Sequence, residues 1–356
     1  MFEVMRGWVD RYLSDEEAVL LAVILGLSFV VIITMGDILA PLLIAIVLAY
    51  ILQGIVKFLH FYRVPDLVAI GLTFILFLGG SIAVLFVIIP KVWKQMRTLY
   101  EELPDMITRT QELLAALPEN YPSLVSEQQV ASWIDMLGNE AGQFGQWLLS
   151  FSLSQLPMLI AVVVYILLVP ILVFFLLKDR EKLLSWSLSF LPEERPLMDR
   201  IGAEMNVQMA NYVRGKFVEI LIVGIVSYVV FKIFGLNYAA LLAVLVGLSV
   251  IVPYLGLIAV TIPVVIIAYL QFGWTPAFFY VVMWYSIIQA IDGLVLVPLL
   301  FSEAVNLHPI AIIVAVLIFG SWWGLWGVFF AIPLATLVKA IITAWPKGAR
   351  QVAAET

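Results

Sequence analysis

The sequence contains no cysteine and only two histidines, His60 and His308. The first absence removes disulfides, thiolate metal sites and a cysteine nucleophile, and leaves the redox compartment open. With so few histidines no cluster of metal-ligand spacing arises, so no metal or other cofactor is expected. No GxxxxGK[ST] loop occurs, so this chain does not itself hydrolyse nucleotide, and neither HExxH nor a serine–histidine pair falls within the apolar runs. Gly36–Asp37 approaches the GxGD of aspartyl intramembrane proteases, but Thr34 stands where the first glycine is needed. Charge is scarce too: 12% of residues carry it, against about 25% in soluble domains. The net charge of −6 includes no basic tract suited to nucleic acid.

Apolar residues fill that gap, at 63% of 356 residues, and they come in long unbroken runs. A helix crosses a bilayer with about 20 apolar residues. Uncharged runs at Ala18–Gly36, Ile38–Val56 and Leu67–Pro90 predict three spans within a 1–90 segment, with Asp37 at the turn between the first two. The first run is expected to be retained. Acids outnumber Arg6 and Arg11 before it, and no small-residue cleavage site follows it. A polar loop, 91–150, precedes a fourth span at 151–177, and a second charged loop covers 178–216. From 217 to 346 the chain is almost continuously apolar, with plain spans at Phe217–Phe234 and Pro276–Leu300. Two further stretches are interrupted: 238–270 by Pro253 and Gly256, and 310–345 by Gly320, Gly324, Gly327 and Pro333. Each reads as a broken hairpin that either crosses twice or dips in and returns, with its broken backbone lining a cavity or covered by protein.

Basic residues in short loops set orientation. The 178–216 loop holds seven lysines and arginines, whereas 91–140 has four bases and eight acids. The former is expected in the cytoplasm and the latter outside, which puts both termini inside. In the outer loop Val92, Met96, Leu99 and Leu103 form an amphipathic stripe, punctuated by Pro104, Pro118 and Pro122, that suits packing or a lid. On the inner side Leu197, Ile201, Met205 and Met209 form another.

Asp292 is the one charged side chain in the 70 residues from Ile233 to Ser302. Such a charge costs about 2.5–3.5 kcal/mol at mid-helix, so it is expected to face protein or water. Tyr285 and Gln289 precede it by seven and three positions, on the same helical face. That polar stripe suits a proton, a cation or a hydroxyl-bearing solute, or a clamp on a neighbouring hairpin. At the first break, Pro253 and Gly256 free backbone carbonyls and Tyr254 adds a hydroxyl, which suits a cation or is merely a turn. Arg214 and Glu219 read as interface anchors or solute contacts, with Glu219 paired to Lys216. Asn306 and His308 lie in an inner loop, the latter as a turn residue. Gly320, Gly324 and Gly327 predict close helix packing, with Trp322, Trp323 and Trp326 as interfacial anchors. The glycine face and the amphipathic loop together predict self-association.

Four segments resemble the signatures of the AI-2E family of membrane transporters, and especially its permease branch. They are "NYVRGK" (211–216), "GLSVIVPYLG" (247–256), "IDGLVLVPLLFSEAVNLHP" (291–309) and "FGSWWGLWGVFFAIPLA" (319–335). Lys216 departs from the glutamine that many members have after the Arg-Gly pair. The resemblance implies an all-α polytopic protein of about eight transmembrane segments in the bacterial inner membrane, with both termini cytoplasmic. It also implies transport without ATP. Some members are linked to autoinducer-2 export and others to sodium–proton antiport, so its partners would be the lipid bilayer, a small solute, and a proton or sodium ion. A non-transporting scaffold acting through the amphipathic loops is the competing reading.

Overall fold

The computed structural model of the chain describes residues 16–115, 118, 126, 128–136, 138, 155–301 and 307–344. Among these residues there is no strand. In lipid, a backbone without water must satisfy its own amides, and a helix does so within one segment. Six helices are long and apolar enough to cross a membrane, or seven when the bent pair Val162–Lys178 and Arg180–Leu188 counts as one. The chain is therefore an all-α polytopic membrane protein.

Helix α1 (Glu16–Phe61) holds two of these candidates, Glu16–Gly36 and Ile38–Phe61. Glu17 accepts a bond from the backbone of Met198 at 2.7 Å, while the Tyr50 hydroxyl donates to Asn206 at 3.0 Å. A straight helix would separate Glu17 from Tyr50 by about 50 Å, yet Met198 and Asn206 lie only about 12 Å apart on one helix. The two halves of α1 therefore run back to the same end of the bundle.

Next come α2 (Asp66–Ala83), a π turn at Val84–Ile88, and α3 (Ile89–Ala115). They form one candidate of 47 residues, Asp66–Glu112, about 70 Å long and more than twice a 30 Å apolar layer. Pro104 was expected to punctuate this stretch, but α3 runs through it. The proline is exposed, so water can take the carbonyl that its missing N–H leaves open. Val92, Met96 and Leu99 of the predicted stripe pack against the main core.

Helix α4 (Gln155–Lys178) bends by 81° into α5 (Arg180–Leu188). The hub is α6 (Pro196–Ile233), which touches α1, the α7 leg (Ala239–Ser249) of the hairpin that α7 forms with α8 (Leu255–Phe272), and α9 (Pro276–Ile291). It also touches α10 (Val297–Phe301) and α11 (Pro309–Ala344). One fully buried valine from each of α6 to α9 (Val223, Val246, Val264 and Val281) meets in this core. Lipid tails are as apolar as these side chains, so close contact rather than water exclusion holds them together.

Both interrupted stretches are helical hairpins. Gln271 closes the open end of α7–α8, accepting from Asn237 N at 2.7 Å and donating to Gly235 O at 2.9 Å. Its tip is the 250–254 turn, where Tyr254 adopts φ 62°. Helix α11 reverses at Gly324, at φ 58° and ψ −136°. Its legs then pack together, Ile312, Ala315 and Val316 against Ala331 and Ile332. With 11 residues, α7 spans about 16 Å, too short to cross, which keeps the number of clear spans below the eight expected.

A methyl group at Gly256 would land on the Ser249 carbonyl across the hairpin tip, so only glycine lets the legs close. Gly256→Ala is expected to destabilise the protein by about 2 kcal/mol or more. In detergent its thermal midpoint should fall, whereas Gly71→Ala, which meets nothing within 4 Å, should leave it unchanged or higher.

Candidate functional site

Lys216 and Glu219 stand three residues apart on α6, a spacing that brings side chains together on a helix. The Lys216 ammonium lies 2.8 Å from the Glu219 carboxylate, with the side chains 5% and 2% exposed. The same ammonium donates to the Val250 carbonyl at 2.8 Å and sits 5.1 Å over the Phe301 ring. A carboxylate, a carbonyl and an aromatic face thus replace the water this charge has lost. An interface anchor would stay wet, so the anchoring expectation for Glu219 gives way to a buried pair.

The Val250 acceptor exists because the hairpin breaks there. Helix α7 ends at Ser249, and the left-handed turn at Tyr254 takes away the amide that would have bonded the Val250 carbonyl. The carbonyl left free is thus set by Tyr254 rather than by Pro253 or Gly256, and the chain's own lysine takes it. Tyr254 is 52% exposed, so its hydroxyl does not join this cluster.

Asp292 opens a π turn, Asp292–Leu296, and is 9% exposed. It lies within electrostatic range of both Lys216 and Glu219. By helical rise, Glu219 is about 21 Å from the Ile233 end of α6 and Asp292 about 24 Å from the Pro276 end of α9, so the two carboxylates share a depth. Two carboxylates face one ammonium, which leaves one acid to hold a proton or a negative charge. Asp292 Oδ1 and Gln289 Nε2 have no hydrogen-bond partner among the described residues. Tyr285, fully buried, shares a 2.8 Å hydrogen bond with Thr261 of α8, and its ring lies 6.3 Å from that of Phe231 of α6, tilted by 31°. The stripe of Tyr285, Gln289 and Asp292 thus faces α6 and α8.

The remaining candidates lie elsewhere. Arg214 turns to the other side of α6, where its Nε donates to the Tyr50 carbonyl at 2.9 Å and its side chain lies over Gly54. Five residues separate it from Glu219, about 140° around the helix. Asn306 lies outside the described residues. Gly320, Gly324 and Gly327 do not form one helical face, because the chain reverses at Gly324. Gly320 sits against Val328 and Gly327 against the Phe319 carbonyl, so both serve contact between the legs of α11. Used within the chain, this face no longer argues for self-association. Trp323 and Trp326 stack on Phe330. Among the described residues no group of three or more acids and histidines could hold a metal ion.

Lys216 and Thr261 had no place among the expected site residues. Lys216 carried one signal, its spacing to Glu219, but as the last base before an apolar run it reads as the end of a loop.

A bundle of at least six candidate spans among the described residues, with one of its two broken hairpins ending on a buried ionic cluster, defines a polytopic membrane protein. Residues 18–347 match the family described as AI-2E family transporter, and the chain belongs to that family. It is 45% identical to the Escherichia coli K12 protein named "Putative permease PerM", over 98% of this chain and 99% of that one. Two Bacillus subtilis proteins, "Putative transport protein YueF" and "Putative transport protein YrrI", are 28% and 25% identical. The first match covers 84% of this chain and 82% of the relative, and the second 85% of each.

Removing one partner of a buried ion pair strands the other. Lys216→Met is therefore expected to destabilise the protein by about 3 kcal/mol. Adding Glu219→Gln should recover a good part of that loss, as read from thermal midpoints of the single and double variants in detergent.

Proposed function

We propose that the chain is a secondary transporter of the bacterial inner membrane that works without nucleotide hydrolysis. It moves a small solute of the autoinducer-2 kind or exchanges cations, and Asp292 couples the movement to a proton or a sodium ion. The observation that carries this reading is the buried cluster of Lys216, Glu219 and Asp292, in which one acid lacks a counter-charge. Charged groups at membrane depth are costly and mark ion or solute paths. A proton or cation on Asp292 would neutralise the excess. Gln289, Tyr285 and Thr261 continue the polar lining towards the open end of α7–α8.

In this reading the end of the bundle with Lys57, Arg63, Lys178 and Arg180 is cytoplasmic, following the bias of basic residues, and both termini lie there. The hairpin α7–α8 then enters from outside and α11 from the cytoplasm. The α7–α8 tip reaches the ionic site, whereas the reversal of α11 packs Trp323 against Gly36 of α1, and broken hairpins of opposite sense are a feature of alternating-access carriers.

The test is reconstitution of the full chain into liposomes, with pH- and sodium-sensitive dyes and labelled autoinducer-2 in parallel. The parent protein is expected to carry at least one of these, and Asp292→Asn to lower that flux about tenfold or more and flatten its pH dependence. Equal flux in Asp292→Asn at every pH tested would end the coupling role. A parent protein that moves none of the three would favour the scaffold reading.

A further inference from the structure

On the opposite side of α6 from the ionic cluster, a cavity of about 850 Å³ lies between α1, α5, α6 and α11. Its charged lining is mostly cationic: Lys57, Arg180 and Arg214 contribute to it, and its one acid, Asp199, is already held by Arg195 at 3.0 Å. Among the described residues none of the three cations makes an ion pair. Arg180 and Arg214 lie within electrostatic range of each other and of Tyr50, whose backbone carbonyl fixes the Arg214 guanidinium through Nε alone. Two neighbouring guanidinium groups repel, and an anion between them would remove that cost.

Apart from Tyr50, Gln53, Ser187 and Asn206, the rest of the lining is apolar and runs deep. Along α1 the cavity reaches from Lys57 to Leu43, about 21 Å of helix, and continues to Phe330 and Leu334 of α11. A free inorganic anion would fill only the cationic end. The α4–α5 bend of 81° carries Arg180 at the corner, where an apolar candidate span ends.

We propose that this cavity binds an anionic phospholipid, with its phosphate between Arg214 and Arg180 and an acyl chain against the apolar walls. The charge at the mouth, the length of the apolar slot and the place of the bend all match a molecule with one anionic end and a long apolar body. This site is separate from Asp292, and its fate does not depend on the transport reading.

Native mass spectrometry of the full-length protein in detergent tests it, with phosphatidylglycerol and phosphatidylcholine of identical acyl chains added in turn. The parent is expected to retain phosphatidylglycerol about tenfold better or more, and 10-fold molar excess of inorganic phosphate is expected to displace little of it, on the order of a tenth. Arg180→Gln/Arg214→Gln should erase the preference, while Lys91→Gln/Lys94→Gln, at the far end of the bundle, should keep it. Gly202→Trp keeps every charge and fills the cavity from an α6 position where an added side chain meets nothing within 4 Å. It should lower retention of phosphatidylglycerol as the arginine pair does. Equal retention of both lipids by the parent, a preference that survives in the arginine variant or in Gly202→Trp, or full displacement by phosphate alone would each overturn the proposal.

Discussion

The ammonium of Lys216 ties together three parts of the chain that are far apart in sequence. Its partners are Glu219 on its own helix, the Val250 carbonyl at the tip of the first hairpin, and the Phe301 ring beyond the π turn. Each contact offsets part of the cost of burying the charge, and none would do so alone. The position of the α7–α8 tip, the approach of Asp292 and the seating of α10 against α6 therefore depend on one another. Gly215, next to the lysine, shows how close that seating is: any side chain there would press on Phe301.

The two hairpins rely on glycine in the same way. At Gly256 and Gly327 the hydrogen in place of a methyl lets one leg approach a carbonyl of the other, Ser249 in one case and Phe319 in the other. At Gly324 the need is conformational, since the chain reverses through a positive φ. Tyr254 meets the same demand at the other tip with an ordinary side chain, in a conformation that costs energy for any residue with a Cβ. The surrounding contacts hold it there, the Lys216 bond to Val250 among them.

The helical, membrane-spanning character was legible from hydropathy, because long apolar runs admit few other folds in lipid. So were the two places where the chain breaks, since proline and glycine act locally. Asp292 stood out because nothing around it is charged, and its stripe with Tyr285 and Gln289 follows from helical period alone. Lys216 and Glu219 were less legible. Their spacing announced a pair, but burial is set by α7 and α10, which arrive from elsewhere in the chain. The glycines of α11 misled for a related reason: a GxxxG spacing presumes a continuous helix, and the reversal at Gly324 moves Gly327 to the other leg.

The joined helix from Asp66 to Glu112 also has a mechanical consequence. About 70 Å long, it is gripped at both ends. Near one end it packs beside α1 and α4, and at the other its Gln95 and Glu102 bond to Leu241 and Tyr238 at the mouth of the first hairpin. Gln95 and Glu102 lie about 44–54 Å along it from Asp66, so a tilt of about 5° at the base would carry them through about 4–5 Å. The π turn at Val84–Ile88, where helical bonding is loosened, sits between the two grips. The helix thus ties the first spans directly to the hairpin mouth, so a change in its tilt would be felt at both.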